Sequence, residues 1–169
     1  MGMAELQAAL KLIASHPERS HFVGPRSEAL VDAAETALGV ILPPSYREFL
    51  LKLGAGAFGS EEVYGVIRED IVNSGIPDAF WLTLRARKEW PLPPSMVVVY
   101  FDGGTGYFVL DTTRRDASAE SPLLLWYPGL SSRGGRGQEI VALDFGSFLL
   151  ETVESELARP ALQRRPRRH

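Results

Sequence analysis

The stretch "LGVILPPSYREFLLKLGAGAFG", residues 38–59, places two adjacent prolines inside an apolar run and ends in closely spaced glycines. Gly39 is typical of the residue that follows a helix. A residue before a proline avoids helical geometry, so "VILPP" is predicted to be an extended connector. Pro44 fits the first turn of a new helix, where its missing N–H is not needed. The prolines are therefore predicted to separate two helices.

Helical spacing extends to both sides of this connector. Ser27 is predicted to cap the helix before the prolines, and Gly54 to end the helix after them. Gly56 and Gly59 allow positive φ angles before the chain becomes extended. A further helix is predicted over residues 4–14. The residues that form the apolar faces of the three predicted helices are Leu6, Ala9, Leu10 and Ile13; Leu30, Ala34, Ala37 and Leu38; and Tyr46, Phe49, Leu50 and Leu53.

From residue 61 onward the sequence favours strands. "EEVYGVI" predicts a short strand, "PPSMVVVYFDGGTGYFVLDTT" a hairpin, and "SPLLLWYPG" and "QEIVAL" two more strands, with "SSRGGRG" (131–137) as a mobile loop. Asp144 is predicted to cap a last helix that ends at Pro160. Helices, an antiparallel sheet and a final helix make an α+β single domain.

Composition excludes several classes of protein. The chain of 169 residues has no cysteine, which excludes disulfides, thiolate metal sites and cysteine nucleophiles. It has neither a membrane-length apolar segment nor a basic, apolar secretory signal, so we expect a cytoplasmic protein that binds no membrane. Residues 1–158 carry 13 basic and 21 acidic side chains, and the arginine tail (159–169) adds five positive charges. An acidic body disfavours nucleic acid and attracts basic partners.

The order of these motifs resembles the SMI1/KNR4 family of the SUKH superfamily. The resemblance runs from Ser27 to Leu157 and divides the chain into an N-terminal helix and linker (1–26), a SUKH domain (27–158) and the basic tail (159–169). It rests on Glu35, Leu38 and Gly39; Leu42, Pro43 and Tyr46; Phe49 and Leu50; Gly54 and Gly56; Tyr64 and Gly65; Asp102 and Gly103; Leu110 and Asp111; Trp126; and Ser147 and Phe148.

The resemblance implies a twisted antiparallel sheet with N-terminal helices and a C-terminal helix, and a binding role without catalysis or a cofactor. In bacteria, members of this superfamily are mostly immunity proteins that bind and block a polymorphic toxin, often a nuclease. In fungi, relatives are scaffolds in cell-wall signalling. The expected partner is therefore a cognate toxin domain, and the alternative is a host cell-wall or signalling protein.

An enzyme would need a convergent set of catalytic groups. The sequence has no "GxSxG" motif, and its glycine-rich stretches lack a Walker lysine. His16 and His21 have no third metal ligand nearby in the sequence, so no metal site is predicted. A hydrolase remains an alternative only if the fold gathers carboxylates around a metal.

The candidate partner-binding residues are acids with two aromatic anchors. We expect an acidic surface to imitate the charge of the phosphate substrate that a nuclease toxin binds, which favours rapid and specific association. The alternative for Glu61 and Glu62 is that they protect a strand edge from pairing. The predicted set is Glu61, Glu62, Tyr64, Asp70, Asp78, Asp102 and Tyr107.

Overall fold

The computed structural model describes residues 2–70, 73–129 and 139–159. These residues form an α+β domain, as predicted. Its helices are α1 (Gly2–Ser15), α2 (Glu28–Leu38), α3 (Pro44–Leu53), α4 (Ala79–Glu89) and α5 (Phe145–Ala158), with a 3-10 turn at Pro17–Arg19. Its strands are β1 (Ser20–Phe22), β2 (Gly56–Phe58), β3 (Glu61–Val63), β4 (Met96–Phe101), β5 (Tyr107–Asp111), β6 (Leu123–Trp126) and β7 (Ile140–Ala142).

The strands form one antiparallel sheet in which spatial order follows chain order, from β1 to β7. The β4–β5 ladder extends from Met96, opposite Asp111, to Phe101, opposite Tyr107. The β3–β4 ladder contains only the pair Val63–Tyr100. We call this single-pair junction between β3 and β4 the weak seam of the sheet. The β2–β3 and β4–β5 ladders on either side of it contain more residue pairs.

The caps predicted around the two prolines are confirmed. Ser27 Oγ accepts a hydrogen bond from the Leu30 N–H at 3.1 Å, and α2 ends at Gly39 with φ of 67°. α3 begins at Pro44, and Gly54 follows it with φ of 73°. Because a side chain is strained at such positive φ values, glycine lets both helices stop and turn within one residue.

The core lies where α3 and α5 meet the sheet. Tyr46, Phe49 and Phe145 are fully buried, and the Phe145 ring centroid lies 4.8 Å from that of Tyr46 and 5.2 Å from that of Phe49. The Tyr46 hydroxyl donates to the Tyr64 carbonyl oxygen at 2.8 Å. This hydrogen bond ties α3 to the strand segment after β3.

The N-terminal helix belongs to the same core as the rest of the described chain. Leu6, Ala9 and Ile13 of α1 are buried in the cluster that contains the α5 side chains. The two helices cross closely, since a Cβ on Gly146 would lie 1.7 Å from the Gly2 carbonyl oxygen. Helix α1 therefore packs on α5, although the sequence suggested an addition outside the SUKH domain.

Three elements were not predicted, and one of them is β2 (Gly56–Phe58), which lies before the first predicted strand. Residues 20–22 form β1 within the stretch interpreted as a link, and residues 79–89 form α4. Trp81 therefore lies in a helix, and Trp90 is the residue that caps its C-terminal end. Helix α4 packs on β4, where the Thr83 hydroxyl accepts a hydrogen bond from the Val98 N–H at 2.9 Å.

The predicted mobile loop at 131–137 and tail residues 160–169 lie outside the described residues. Within the described ranges, the helices are too short or too polar to span a lipid bilayer.

Candidate partner-binding cleft

A cleft opens beside the weak seam of the sheet, where β3 and β4 separate near the end of α5. It consists of two adjoining cavities of about 300 and 290 Å³. Both are lined by Glu61, Tyr100, Asp102 and Arg159. We call the combined space the β3–β4 cleft. Its volume suits one or two side chains of a protein partner.

Two turns position the acids of the cleft. Gly59, with φ of 59°, forms the turn that leads into Glu61 and Glu62 at the start of β3. Asp102 follows β4, and its Oδ1 accepts the Gly104 N–H at 2.7 Å and the Gly106 N–H at 3.1 Å. The Asp102 carboxylate is thus held by its own turn at the cleft wall.

Among the described residues that line the cleft, Arg159 is the one with a positive charge. Its Nη1 lies 3.0 Å from Glu61 Oε1, 3.1 Å from Glu156 Oε2 and 3.1 Å from Ser60 Oγ. The Arg159 N–H donates to the Ser155 carbonyl oxygen, so the end of α5 fixes its backbone. The carboxylate of Glu61 is therefore already paired within the chain.

Aromatic rings form the inner wall of the cleft. Tyr100 lies 5.1 Å from Phe108 and 5.2 Å from Phe148, centroid to centroid. The Tyr100 hydroxyl donates a short hydrogen bond to Glu61 Oε2. Burial and this carboxylate raise the pKa of Tyr100 well above its usual value, so the hydroxyl keeps its proton and remains a donor.

Glu62 lies on the outer side of the cleft and is exposed. Partial burial nevertheless raises the pKa of its carboxyl group. Tyr64, in contrast, is 4% exposed, and burial raises its pKa to about 12. Tyr64, which was predicted to be an apolar anchor, thus lines the cleft as a buried residue.

Four predicted residues meet in the cleft, namely Glu61, Glu62, Tyr64 and Asp102. Asp70 is exposed elsewhere and accepts hydrogen bonds from the Asn73 backbone and side chain, which lower its pKa. Tyr107 packs against Phe101 and Trp126 and does not line either cavity. Because successive residues of a strand face opposite sides, Tyr107 faces away from Phe108 and lies instead beside Phe101, which lines one of the two cavities.

Asp78 was wrongly placed on the binding surface. It is 1% exposed and caps α4, where its Oδ1 accepts the N–H groups of Phe80 and Trp81 at 2.9 Å each. The sequence signal was an aspartate directly before a helix, which is a common N-cap. Asp78 therefore stabilises α4 and is not available to a partner.

Several lining residues were missed by the sequence interpretation. Glu151 adds a carboxylate from α5, while Tyr100, Phe108 and Phe148 were either assigned to the core or left unassigned. Arg159 was assigned to the tail. Helical periodicity could have placed Arg159 near Glu156, three positions earlier, but not beside β3.

The side chains of the described residues do not form a group of three or more His, Cys, Asp or Glu that could hold a metal ion. The hydrolase alternative required such a group. The described cleft instead combines paired and exposed carboxylates with an aromatic wall, an arrangement suited to binding a cationic side chain.

The comparisons with known proteins concern the family of the chain. Residues 28–149 match the family model SUKH_6, described as SMI1-KNR4 cell-wall. No curated protein matches the chain. The match covers most of the sequence, including α2 to α4, β2 to β7 and the first part of α5. The chain therefore belongs to the SMI1/KNR4 family of the SUKH superfamily.

Proposed function

We propose that this chain is a non-catalytic immunity protein that neutralises a cognate toxin by binding it in the β3–β4 cleft. Support comes from the family, in which the resemblance stated above implies binding roles, and from the charge of the cleft. Among the described residues, its lining contains four carboxylates, Glu61, Glu62, Asp102 and Glu151, and one basic side chain, Arg159. This excess of carboxylates is the observation that carries the proposal.

The mechanism is stoichiometric occlusion. A toxin that acts on nucleic acid must present basic groups to phosphate. A rigid acidic cleft offers those groups a competing partner, which raises the association rate and disfavours partners of the wrong charge. The aromatic wall supplies apolar contact area of the kind that concentrates binding energy in interfaces.

The proposal is tested by recovering the full chain from its native host and identifying what co-elutes by mass spectrometry. We expect the C-terminal domain of a large secreted protein in near-equal amount. Purified toxin domain should lose its activity at a one-to-one ratio with this chain. Recovery of cell-envelope or signalling proteins alone would favour the scaffold alternative, which the cell-wall description of the family also suggests.

The cleft itself is tested by charge reversal. The double variant Glu62→Lys and Glu151→Lys changes two exposed acids of the cleft. We expect the association rate with the toxin to fall about tenfold or more at low salt. The matched control, Glu18→Lys and Glu28→Lys, changes two exposed acids that line neither cavity. Equal effects of the two double variants would contradict the assignment of the cleft.

A further inference from the structure

Arg159 occupies the β3–β4 cleft as a residue of the chain itself. Within the described residues, one guanidinium nitrogen, Nη1, makes the polar contacts of Arg159 with Glu61, Glu156 and Ser60. An arginine can donate from several nitrogens in a planar fork, and paired donation to one carboxylate is its stronger mode. The contact between Arg159 and Glu61 therefore uses only some of the N–H donors of the guanidinium group.

The two sides of this contact differ in exposure. The side chains of Glu61 and Glu156 are 13% and 11% exposed, whereas that of Arg159 is 58% exposed. Exposed ion pairs contribute little to stability because water screens them and the long side chain loses freedom. The two carboxylates are thus largely buried, whereas the exposed side chain of Arg159 is the partner that another cation could replace.

Groups other than Arg159 hold the carboxylates in position. The Tyr100 hydroxyl donates to Glu61 Oε2, and the Ser60 N–H and hydroxyl donate to Glu156 at 3.1 and 3.0 Å. These bonds do not depend on the arginine. Departure of Arg159 would leave two oriented, largely buried carboxylates that need a cation.

The aromatic wall adds a preference among cations. Tyr100, Phe108 and Phe148 form a cluster whose ring centroids lie 5.1 to 5.6 Å apart. A planar guanidinium stacks on such rings and forms paired hydrogen bonds to a carboxylate. An ammonium group is a compact, strongly hydrated charge and gains less from this geometry.

We propose that the β3–β4 cleft takes an arginine side chain of the protein partner, which replaces Arg159 at the Glu61 carboxylate. The inference rests on the proposed function for the identity of the partner, but not for the chemistry of the site. Arg159 acts as an internal placeholder that neutralises Glu61 until the partner binds. The site therefore distinguishes arginine from lysine.

The test uses the full chain and small probes in place of the unidentified toxin. N-acetyl-arginine methylamide and its lysine counterpart are titrated into isotopically labelled protein, and the backbone amide resonances of residues 60–64 and 100–103 are followed. We expect Arg159→Gln to bind the arginine probe about two- to fivefold more tightly than the unmodified chain, the range that corresponds to losing one exposed ion pair. The lysine probe should bind more weakly than the arginine probe.

Two variants serve as controls. Arg85→Gln removes a positive charge from another exposed pair, Arg85 with Glu89, outside the cleft. It should not strengthen binding of the arginine probe. Adding Glu61→Gln to Arg159→Gln should remove the gain.

Three outcomes would overturn the inference: no saturable shift at the cleft, equal binding of both probes, or no gain in Arg159→Gln. These outcomes are independent of the toxin. A guanidinium site without toxin binding would refute the proposed function alone, whereas toxin binding without a gain in Arg159→Gln would refute this inference alone.

Discussion

The close crossing of α1 and α5 makes Gly146→Ala a sharp test of the fold. Gly146 lies in the first turn of α5, so alanine should by itself favour the helix by up to about 1 kcal/mol. The added Cβ would, however, lie 1.7 Å from the Gly2 carbonyl oxygen and 3.0 Å from the Leu6 backbone nitrogen. Both obstacles are backbone atoms, so changing a side-chain rotamer cannot relieve the clash.

The magnitude follows from the displacement that is needed. Real Cβ atoms stay at least 3.0 Å from such neighbours, so α1 must move by more than 1 Å relative to α5. Leu6, Ala9 and Ile13 are buried at or near this interface and would lose part of their packing. Overpacking of this kind costs about 1–3 kcal/mol in the free energy of unfolding. The melting temperature should fall by roughly 2–4 °C for each kcal/mol lost.

The assay is urea denaturation of the full chain followed by circular dichroism, with hydrogen exchange to localise the effect. Amides of α1 should exchange faster in the variant than in the unmodified protein. The matched control is Glu154→Ala, an alanine at an exposed position of the same helix, which should change stability by less than about 0.5 kcal/mol. A Gly146→Ala protein as stable as the control would refute the packing of α1 on α5.

Two further predictions concern buried polar groups. Tyr46→Phe keeps the ring but removes the hydroxyl that donates to the Tyr64 carbonyl oxygen. The free energy of unfolding, measured by urea denaturation, should therefore fall by about 1–3 kcal/mol. An unchanged free energy of unfolding would contradict the hydrogen bond. Glu120, which is 2% exposed, has a pKa raised by burial, so the folded state binds its proton more tightly than the unfolded state does. Its contribution to stability should therefore fall as pH rises from the ordinary value of 4.5 through the raised one. Urea denaturation of the unmodified chain and Glu120→Gln at a series of pH values should show their difference shrinking, or reversing in sign, across that window; a constant difference would contradict the shift.

Local signals in the sequence predicted the structure correctly where that structure depends on a few neighbouring residues. Ser27, Gly39 and Pro44 each act through backbone groups within about one helical turn, so the ends of α2 and α3 could be predicted. Helix α4 was not predicted, although its buried residues Ala79, Leu82 and Ala86 recur at helical spacing; Thr83 lies on the same buried face. The Thr83 hydroxyl accepts a hydrogen bond from the Val98 N–H, which belongs to another element.

In the candidate cleft, too, local signals predicted some of the residues and not others. Charge and turn chemistry pointed to Glu61, Glu62 and Asp102, which the structure brings together. Nothing local indicated that Arg159 would reach them, since it contacts Ser60 across 99 positions of the chain. Charge alone also misled at Asp78, where the carboxylate serves backbone N–H groups of α4.

The single-pair seam between β3 and β4 has a consequence for how the proposed binding surface of this chain can change. Residues 60–62 and 101–103 lie at the cleft, beyond the Val63–Tyr100 pair, and among the described residues no second residue pair of β3 and β4 follows there. Replacing an exposed side chain such as that of Glu62 leaves the backbone hydrogen bonds of that ladder in place. Mutations there can accumulate under selection for a new partner while the rest of the sheet and the helix core retain their stability.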